Sequence, residues 1–422
     1  MVKHELTTLP NKLRVLTIPM KGAPSATVLV MVDAGSRYEN LDNHGIAHFQ
    51  EHMFFKGGKK YKNAKIVAEE TDAMGAISNA FTDKDRVGYW IKVAANKVDK
   101  AIDILSDSLK HAAFKERDIN TERGVILEEL NMYEDMPQRT VLDKFEELVF
   151  GDQPLGRDIG GTKESVRGIE RHHFVDYKKQ LYTPDNIVLC VAGGVSHDEV
   201  VKLAKKYFEG LDGQKSLEYS PYEPTLRPKE FVKDKKTEQT HLVIGGESYP
   251  DQDERKYALS LLTEILGGSM SSRMFQTIRE KHGLAYYVQT MADGYQDTGL
   301  FLTRLGVDNS RAELAVRAVI DEYAKIAGSK PATSAELAKA KGSIRGQLLL
   351  SFEDSSNMAN FYARQEALYN EIKSIDTVLK KLDQVTVKDV KETAKDLLRS
   401  EKMKLAVIGP VGKKSFSKLL KF

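Results

Sequence analysis

The sequence predicts an α+β protein built from two copies of one domain. Its 422 residues are too many for one small hydrophobic core and indicate two or more domains. Short apolar runs typical of strands alternate with longer helical patterns along the chain. Three short segments recur in the same order roughly 210 residues later, which indicates an internal duplication. The recurring pairs are Phe54–Gly58 with Glu264–Gly268, Gly75–Thr82 with Gly283–Thr290, and Cys190–Val195 with Ala406–Val411.

The composition is that of an ordinary globular protein. Hydrophobic residues make up 41% and charged residues 29% of the chain, and the formal net charge is +2. No excess of charge therefore points to nucleic acid or to an acidic membrane as a partner. The N-terminus lacks the apolar core of a signal peptide, and no run approaches the length of a membrane span, so we expect a cytoplasmic location. The single cysteine, Cys190, lies in an apolar run and is expected to be a buried structural thiol.

The first copy is expected to begin with two strands, Lys12–Met20 and Ala26–Asp33, because both runs are rich in Val, Leu and Ile. Two helices follow, the second of them near Ala64–Met74. Gly75–Thr82 and Arg86–Ala94 then have the patterns of two strands joined by a polar turn. The order predicted for this part of the chain is therefore two strands, two helices and two strands.

The rest of the first copy is mainly helical. Helical periodicity extends over Asn96–Phe150 and is interrupted at Pro137. Another helix near His172–Gln180 leads to a buried strand around Val188, and a helix over Asp198–Phe208 follows. The stretch 210–228 contains Gly, Pro and Ser and has no clear periodicity. We therefore predict domains 1–212 and 229–422, joined by a linker over 213–228.

The chemical signal with the clearest spacing is His48-Phe-Gln-Glu-His52 in the first predicted helix. Residues four apart lie on one helical face, so His48 and His52 can present their imidazoles to the same point, and Glu51 lies on that edge. Two imidazoles with a carboxylate beside them suit a catalytic zinc ion, which takes three protein ligands and an open position for water, so a third ligand is still needed. The order His-x-x-Glu-His is the inverse of the commoner zinc signature. The alternative interpretation is a surface helix that happens to carry two histidines and an acid.

The third ligand is expected on the long helix Glu116–Glu134, which carries several acidic residues. Spacing alone does not choose among them, because most acids on a helix are solvated surface charges. Glu122 and Glu129 are seven residues apart and share a face, whereas Glu128 is turned about 100° from Glu129. A face with Glu122 and Glu129 could point towards the histidines, but spacing alone does not decide which acid is the third ligand.

Several blocks of the sequence together resemble the pitrilysin-type, or inverzincin, metallopeptidases. This group includes insulysin, the mitochondrial processing peptidase and shorter bacterial two-domain enzymes. The resemblance covers nearly the whole chain, and its blocks occur in the family order. These blocks are Val30–Glu39, Gly45–Gly57, Asn79–Thr82, Val125–Leu130, Tyr182–Asn186 and Gly267–Tyr286. For each half, the resemblance implies a mainly antiparallel β-sheet packed with α-helices.

The resemblance also implies a division of labour in the site. His48, His52 and Glu129 would be the ligands of one Zn²⁺ per chain. Glu51 would be the base that takes a proton from the attacking water, and Glu122 would be a helper acid that orients the site. The implied activity is that of a zinc metalloendopeptidase acting on peptides or unfolded segments in a closed chamber.

Two further blocks would hold the substrate. Asn79, Ala80, Phe81 and Thr82 resemble the family's edge strand, to which a peptide is added by main-chain hydrogen bonds. Arg279 and Tyr286 have the spacing of a pair that, in relatives, acts from the domain without zinc and stabilises the oxyanion.

The partners implied by the resemblance are the peptide substrate and a second subunit. The large relatives have four such domains and this chain has two, so we expect a homodimer or a heterodimer with a related subunit. The alternative function is an inactive structural or partner subunit of such a peptidase. In the second half, the positions answering His48, Glu51 and His52 are Ala258, Leu261 and Leu262. The second half is therefore expected to keep the architecture without the metal chemistry.

Overall fold

The structure is a computed structural model and describes residues 3–421. The chain forms two compact units, each assembled from segments that are not contiguous in sequence. The first unit contains the chain up to Leu130 together with 158–220 and 349–373. The second unit contains 131–157, 221–348 and the chain from Ser374 onwards.

A six-stranded sheet forms the centre of the first unit. Its strand order is β1-β2-β6-β3-β5-β4, and all neighbours are antiparallel except β2 and β6, which are parallel. The strands are β1 (Glu5–Thr8), β2 (Arg14–Pro19), β3 (Ser25–Val32), β4 (Ile77–Thr82), β5 (Val87–Ala94) and β6 (Ile187–Gly193). The central strands β3 and β6 are buried on both faces, which explains their near-continuous runs of Val, Leu and Ile. The strand β1, near the N-terminus, was not predicted.

Helices cover both faces of this sheet. They are α1 (Ile46–Phe54), α2 (Ala64–Asp72), α3 (Val98–His111), α4 (Glu116–Glu134), α6 (Lys163–Gly168), α7 (Arg171–Leu181), α8 (His197–Phe208) and α12 (Ser355–Tyr369). The alternating residues Val28 and Val30 of β3 belong to the main core, whereas Thr27 faces α12 and hydrogen-bonds Ser355. Cys190 on β6 is fully buried and approaches the carbonyl oxygen of Ala359 on α12. The prediction of a buried thiol is confirmed, and burial raises its pKa far above the usual range.

The second unit has a five-stranded sheet with the order β7-β11-β8-β10-β9. Its strands are β7 (Glu230–Asp234), β8 (Thr240–Ser248), β9 (Ala285–Gly294), β10 (Gly299–Val307) and β11 (Lys404–Gly409). Its helices are α5 (Pro137–Phe150), α9 (Lys256–Thr263), α10 (Ala312–Ala327), α11 (Ser334–Ser351), α13 (Ile375–Gln384) and α14 (Val387–Leu397), with π-helical turns at Glu264–Gly268 and Phe275–Lys281. The pairings match those of the first sheet: β7 is parallel to β11, as β2 is to β6, and the other neighbours are antiparallel. The predicted duplication and the α+β class are confirmed.

The compact units differ from the predicted contiguous domains in one respect. Helix α12, from the second half of the sequence, packs on β3 and β6 of the first sheet, and α5, from the first half, packs on β8 and β11 of the second. A helical pattern shows which face of a helix is buried but not which sheet buries it, so the sequence does not reveal this exchange. The predicted linker 213–228 has no regular secondary structure, and the chain passes from one unit to the other within it. Among residues 3–421, no helix combines the length and the apolar character that crossing a bilayer requires.

Candidate metal centre

Helix α1 positions the predicted motif, and its start is fixed by a buried carboxylate. The two oxygens of Glu39 accept hydrogen bonds from the backbone N–H groups of Gly45 (2.8 Å) and Ala47 (2.9 Å). Gly45 has a φ of 94°, which a residue with a side chain adopts only with strain. A negative group at a helix N-terminus also interacts favourably with the helix dipole. Packing of Phe49 and Met53 in the core leaves the opposite face of α1 for the polar residues.

Three predicted ligands converge at this face. The Nε2 atoms of His48 and His52 lie 3.7 Å and 3.4 Å from Oε2 of Glu129 on α4. One ligand atom from each of these residues can be chosen so that all three lie within 4.8 Å of one another. The three side chains are 15–21% exposed, so the site can be reached from solvent without lying on an open surface. The helix-face prediction for the histidines therefore matches the geometry.

The structure also separates the acids of α4 that spacing left open. Glu122 is buried and Glu129 is partly buried, whereas Glu128 and Glu134 are exposed. The buried stripe that includes Ile126 turns the face with Glu122 and Glu129 towards α1. Glu129 is the only one of these acids in the group of possible metal donors found among residues 3–421.

Glu122 contacts the far side of His52. Its Oε2 lies 3.2 Å from Nδ1 of His52, while its Oε1 accepts a hydrogen bond from the ammonium group of Lys56. A carboxylate behind a histidine fixes the orientation of the imidazole and leaves Nε2 for a metal. Burial lowers the pKa of His52, but the carboxylates of Glu129 and Glu122 outweigh this effect and raise it. The sequence analysis did not identify Lys56, because its contact with Glu122 joins residues that are 66 positions apart in the sequence.

Glu51 is held by Thr82. The Thr82 hydroxyl donates a hydrogen bond of 2.5 Å to Oε2 of Glu51, so the edge strand β4 and helix α1 meet at the predicted base. Burial raises the pKa of Glu51, and the hydrogen bond from Thr82 partly opposes that rise. A carboxylate with a raised pKa is better suited to accept a proton near neutrality. Thr82 was predicted only as part of the substrate strand, and its hydrogen bond to Glu51 was not predicted.

The donor set fits a zinc ion. Two imidazole nitrogens and one carboxylate oxygen are the ligands that catalytic zinc takes, with a fourth position for water. The orientation of His52 by Glu122 is the kind of second contact that such ligands usually have. In the second unit the corresponding helix α9 carries Ala258, Leu261 and Leu262, all buried in its core. The duplicated position in the second unit thus has apolar packing where the first has the candidate metal ligands.

The predicted substrate-binding residues lie in both units. Asn79, Ala80 and Phe81 are on β4, which is the edge strand of the first sheet and is exposed along its first half. Arg279 and Tyr286 are in the second unit, and the guanidinium carbon of Arg279 lies 5.7 Å from the centre of the Tyr286 ring. Tyr286 is 76% exposed. The structure therefore brings these two side chains together at a surface of their unit, and their role stays a prediction.

Two family profiles match the chain. The profile described as "Insulinase (Peptidase family M16)" matches residues 14–163, and the one described as "Peptidase M16 inactive domain" matches residues 168–344. A protein of Streptomyces coelicolor named "Uncharacterized zinc protease" is 35% identical, with 98% of this chain and 91% of that protein covered. A protein of Bacillus subtilis with the same description is 34% identical, with 96% of this chain and 98% of that protein covered.

Solved structures agree on the fold. A protease from Helicobacter pylori superposes with a TM-score of 0.90 at 24% identity, and 97% of this chain and 100% of that chain are covered. The peptidase M16 inactive domain from Pseudomonas fluorescens superposes with a TM-score of 0.89 at 19% identity, with 98% of this chain and 100% of that chain covered. Together with the profile matches and the relatives at about one third identity, these likenesses establish that the chain belongs to peptidase family M16, the insulinase or pitrilysin-type family, as a member of the short bacterial type.

Proposed function

We propose that this protein is a zinc-dependent endopeptidase that hydrolyses peptides or unfolded segments. The observation that carries the proposal is the convergence of His48, His52 and Glu129 on one point beside Glu51. Membership of family M16 and the description of relatives as zinc proteases support it. The match of the second half to an inactive domain accords with a division in which the first unit performs the chemistry.

The residues of the first unit have distinct roles in the proposed reaction. Zn²⁺ held by His48, His52 and Glu129 would supply a Lewis acid that polarises the scissile carbonyl and makes water more acidic. Glu51 would accept the proton of the attacking water and then transfer it to the nitrogen of the leaving amine. The hydrogen bond from Thr82 fixes the carboxylate of Glu51 beside the two histidines of the same helix, so that proton transfer needs no large movement of this side chain.

The edge strand β4 would bind the substrate. Among residues 3–421, β4 has a neighbouring strand of the sheet on one side only, and a peptide can pair on its other side through main-chain hydrogen bonds. Asn79 and Ala80 are the residues expected to make those contacts, while the hydroxyl of Thr82 is engaged with Glu51. Such binding requires an extended peptide and would favour unfolded segments over compact proteins.

We further propose that the active form is a dimer, with itself or with a related subunit, that encloses the peptide. Arg279 and Tyr286 would then hold the substrate backbone and donate hydrogen bonds to the developing oxyanion. A mixture of Glu51→Gln subunits with Arg279→Ala/Tyr286→Phe subunits tests this arrangement. If Arg279 and Tyr286 act at the zinc site of the partner chain, exchange of subunits restores activity. If subunits exchange and no activity returns, the trans arrangement is wrong.

Metal content and peptide hydrolysis test the function itself. We expect the purified protein to hold about one zinc per chain and to cleave members of a mixed peptide library, and a chelator should abolish cleavage until zinc is added back. The variant Lys100→Met, which changes a lysine that pairs with Glu70 away from the ligands, serves as a control and should keep both properties. A wild-type protein that binds no zinc and cuts no peptide would instead favour an inactive partner subunit.

A further inference from the structure

Behind the proposed ligands lies a chain of contacts that ends at Lys56. The ammonium group of Lys56 contacts Oε1 of Glu122, and Oε2 of Glu122 lies 3.2 Å from Nδ1 of His52. Nε2 of His52 in turn lies 3.4 Å from Oε2 of Glu129, inside the group of possible metal donors. Lys56 is therefore linked to the proposed ligand His52 through Glu122.

The environment of Glu122 requires a positive partner. Its side chain is only 9% exposed, and a buried carboxylate is costly unless a charge and hydrogen bonds compensate it. Lys56 supplies that charge at one oxygen, which leaves the other oxygen for His52. A carboxylate oxygen that accepts a hydrogen bond from Nδ1 orients the imidazole so that Nε2 faces the metal position.

Lys56 begins a tight loop whose backbone is held by hydrogen bonds. The N–H of Lys56 donates to the carbonyl oxygen of Met53 at the end of α1, and the N–H of Gly58 donates to that of Tyr61 at 2.7 Å. The carboxylate of Asp107 accepts hydrogen bonds from the backbone N–H groups of residues 60 and 61. Tyr61 is 2% exposed, which anchors the loop in the core. A lysine on such a loop holds its partner in place with less conformational freedom than one on a free surface.

We propose that Lys56 is a positioning residue of the metal centre, which holds the carboxylate of Glu122 against Nδ1 of His52 so that His52 presents Nε2 to the metal. The inference rests on the proposed zinc site and adds to it a residue with a defined role. It predicts the direction in which removal of Lys56 changes the affinity for zinc. A lysine that acted only through its charge would repel Zn²⁺, and its removal would tighten binding. A lysine that positions Glu122 has the opposite effect, and its removal weakens binding.

The test measures the zinc affinity of the metal-free protein by competition with a chromophoric chelator. We expect Lys56→Met to weaken zinc binding about 10-fold, since loss of an outer contact of a metal ligand costs about 10- to 100-fold in affinity. Lys56→Arg keeps the charge and should recover most of the affinity. The double variant Lys56→Met/Glu122→Gln should bind zinc no more weakly than Glu122→Gln alone, because Lys56 acts through Glu122.

Lys100→Met is the matched control. Its side chain is 31% exposed, against 28% for Lys56, and it pairs with Glu70 at 2.8 Å away from the proposed ligands. We expect no change in its zinc affinity, and thermal unfolding of each metal-free variant checks that it is folded. Equal or tighter zinc binding by Lys56→Met, or additive losses in the double variant, would overturn the inference and leave the zinc site standing. A wild-type protein without zinc affinity would overturn the proposed function and this inference together.

Discussion

The exchange of helix α12 into the first unit predicts how the single cysteine reacts with a thiol reagent. Cys190 has no exposed surface because α12 covers it. The C-terminal part of α12 is held by Arg14 on β2, which donates hydrogen bonds to the carbonyl oxygen of Glu366 (2.7 Å) and to Oδ1 of Asn370 (2.5 Å). Labelling of Cys190 in the native protein therefore requires α12 to move away, and Arg14→Ala should make that movement easier.

The expected magnitude follows from what the substitution leaves behind. Arg14 and Glu366 form a buried pair whose side chains are only 11% and 6% exposed. Removal of one partner of such a pair costs about 3–5 kcal/mol, because the other charge stays buried without compensation. If α12 opens locally and recloses faster than the reagent reacts, about 3 kcal/mol corresponds to labelling that is roughly 100-fold faster. The assay is the rate of Cys190 modification by a chromogenic disulfide in native buffer.

Two controls distinguish local opening of α12 from a general loss of stability of the protein. The variant Arg345→Ala loses an exposed pair with Asp383 in the second unit and should label at the wild-type rate. The double variant Arg14→Ala/Glu366→Gln should label more slowly than Arg14→Ala, because no uncompensated carboxylate is left. If Arg14→Ala labels at the wild-type rate while it remains folded, the account of how α12 is anchored is refuted.

Three further predictions concern the site and its surroundings. Glu39→Gln should lower the free energy of unfolding of the first unit by about 2 kcal/mol in a urea titration, since a charged acceptor is lost at the start of α1; a change below about 0.5 kcal/mol would contradict this. Thr82→Val should lower kcat with little effect on zinc content, whereas Thr82→Ser should retain activity; equal rates in both variants would show that the hydroxyl does not position Glu51. Arg273→Ala should destabilise the protein by about 1 kcal/mol at pH 7, because its partner Glu336, which is partly exposed, has its pKa lowered to about 2 by Arg273. This stabilisation is fully present above the pKa of the unfolded chain and is lost as the pH falls through the folded-state pKa. The melting temperatures of wild type and variant should therefore begin to converge below about pH 4 and meet near about pH 2.

The sequence allowed much of this fold to be predicted, because most elements have a strong period. The strands around Val28 and Val188 and the helices 98–111 and 197–208 follow directly from apolar spacing. The duplication was visible because short segments such as Gly75–Thr82 keep their order in the second half. The exchange of α5 and α12 was not predictable, because each sheet offers an apolar face that either helix could cover.

The convergence of the candidate ligands was partly predictable, and the contacts that surround them were less so. Spacing on one helix was enough for His48 and His52, because residues four apart necessarily share a face. The choice of Glu129 on another helix depended on the resemblance to a family, since helix periodicity could not separate it from solvated acids. Contacts across elements, such as those of Thr82 and Lys56, depend on tertiary packing that no local pattern encodes.

The central claim is that His48, His52 and Glu129 hold one zinc ion and that Glu51 performs the proton transfer beside it. Zinc content and peptide hydrolysis, measured together on Glu51→Gln and Glu129→Gln, test it most directly. The account predicts that Glu51→Gln retains about one zinc per chain and loses hydrolysis by a factor of at least about 100, whereas Glu129→Gln loses zinc as well. Full hydrolysis by Glu51→Gln, or undiminished zinc affinity in Glu129→Gln, would contradict the claim.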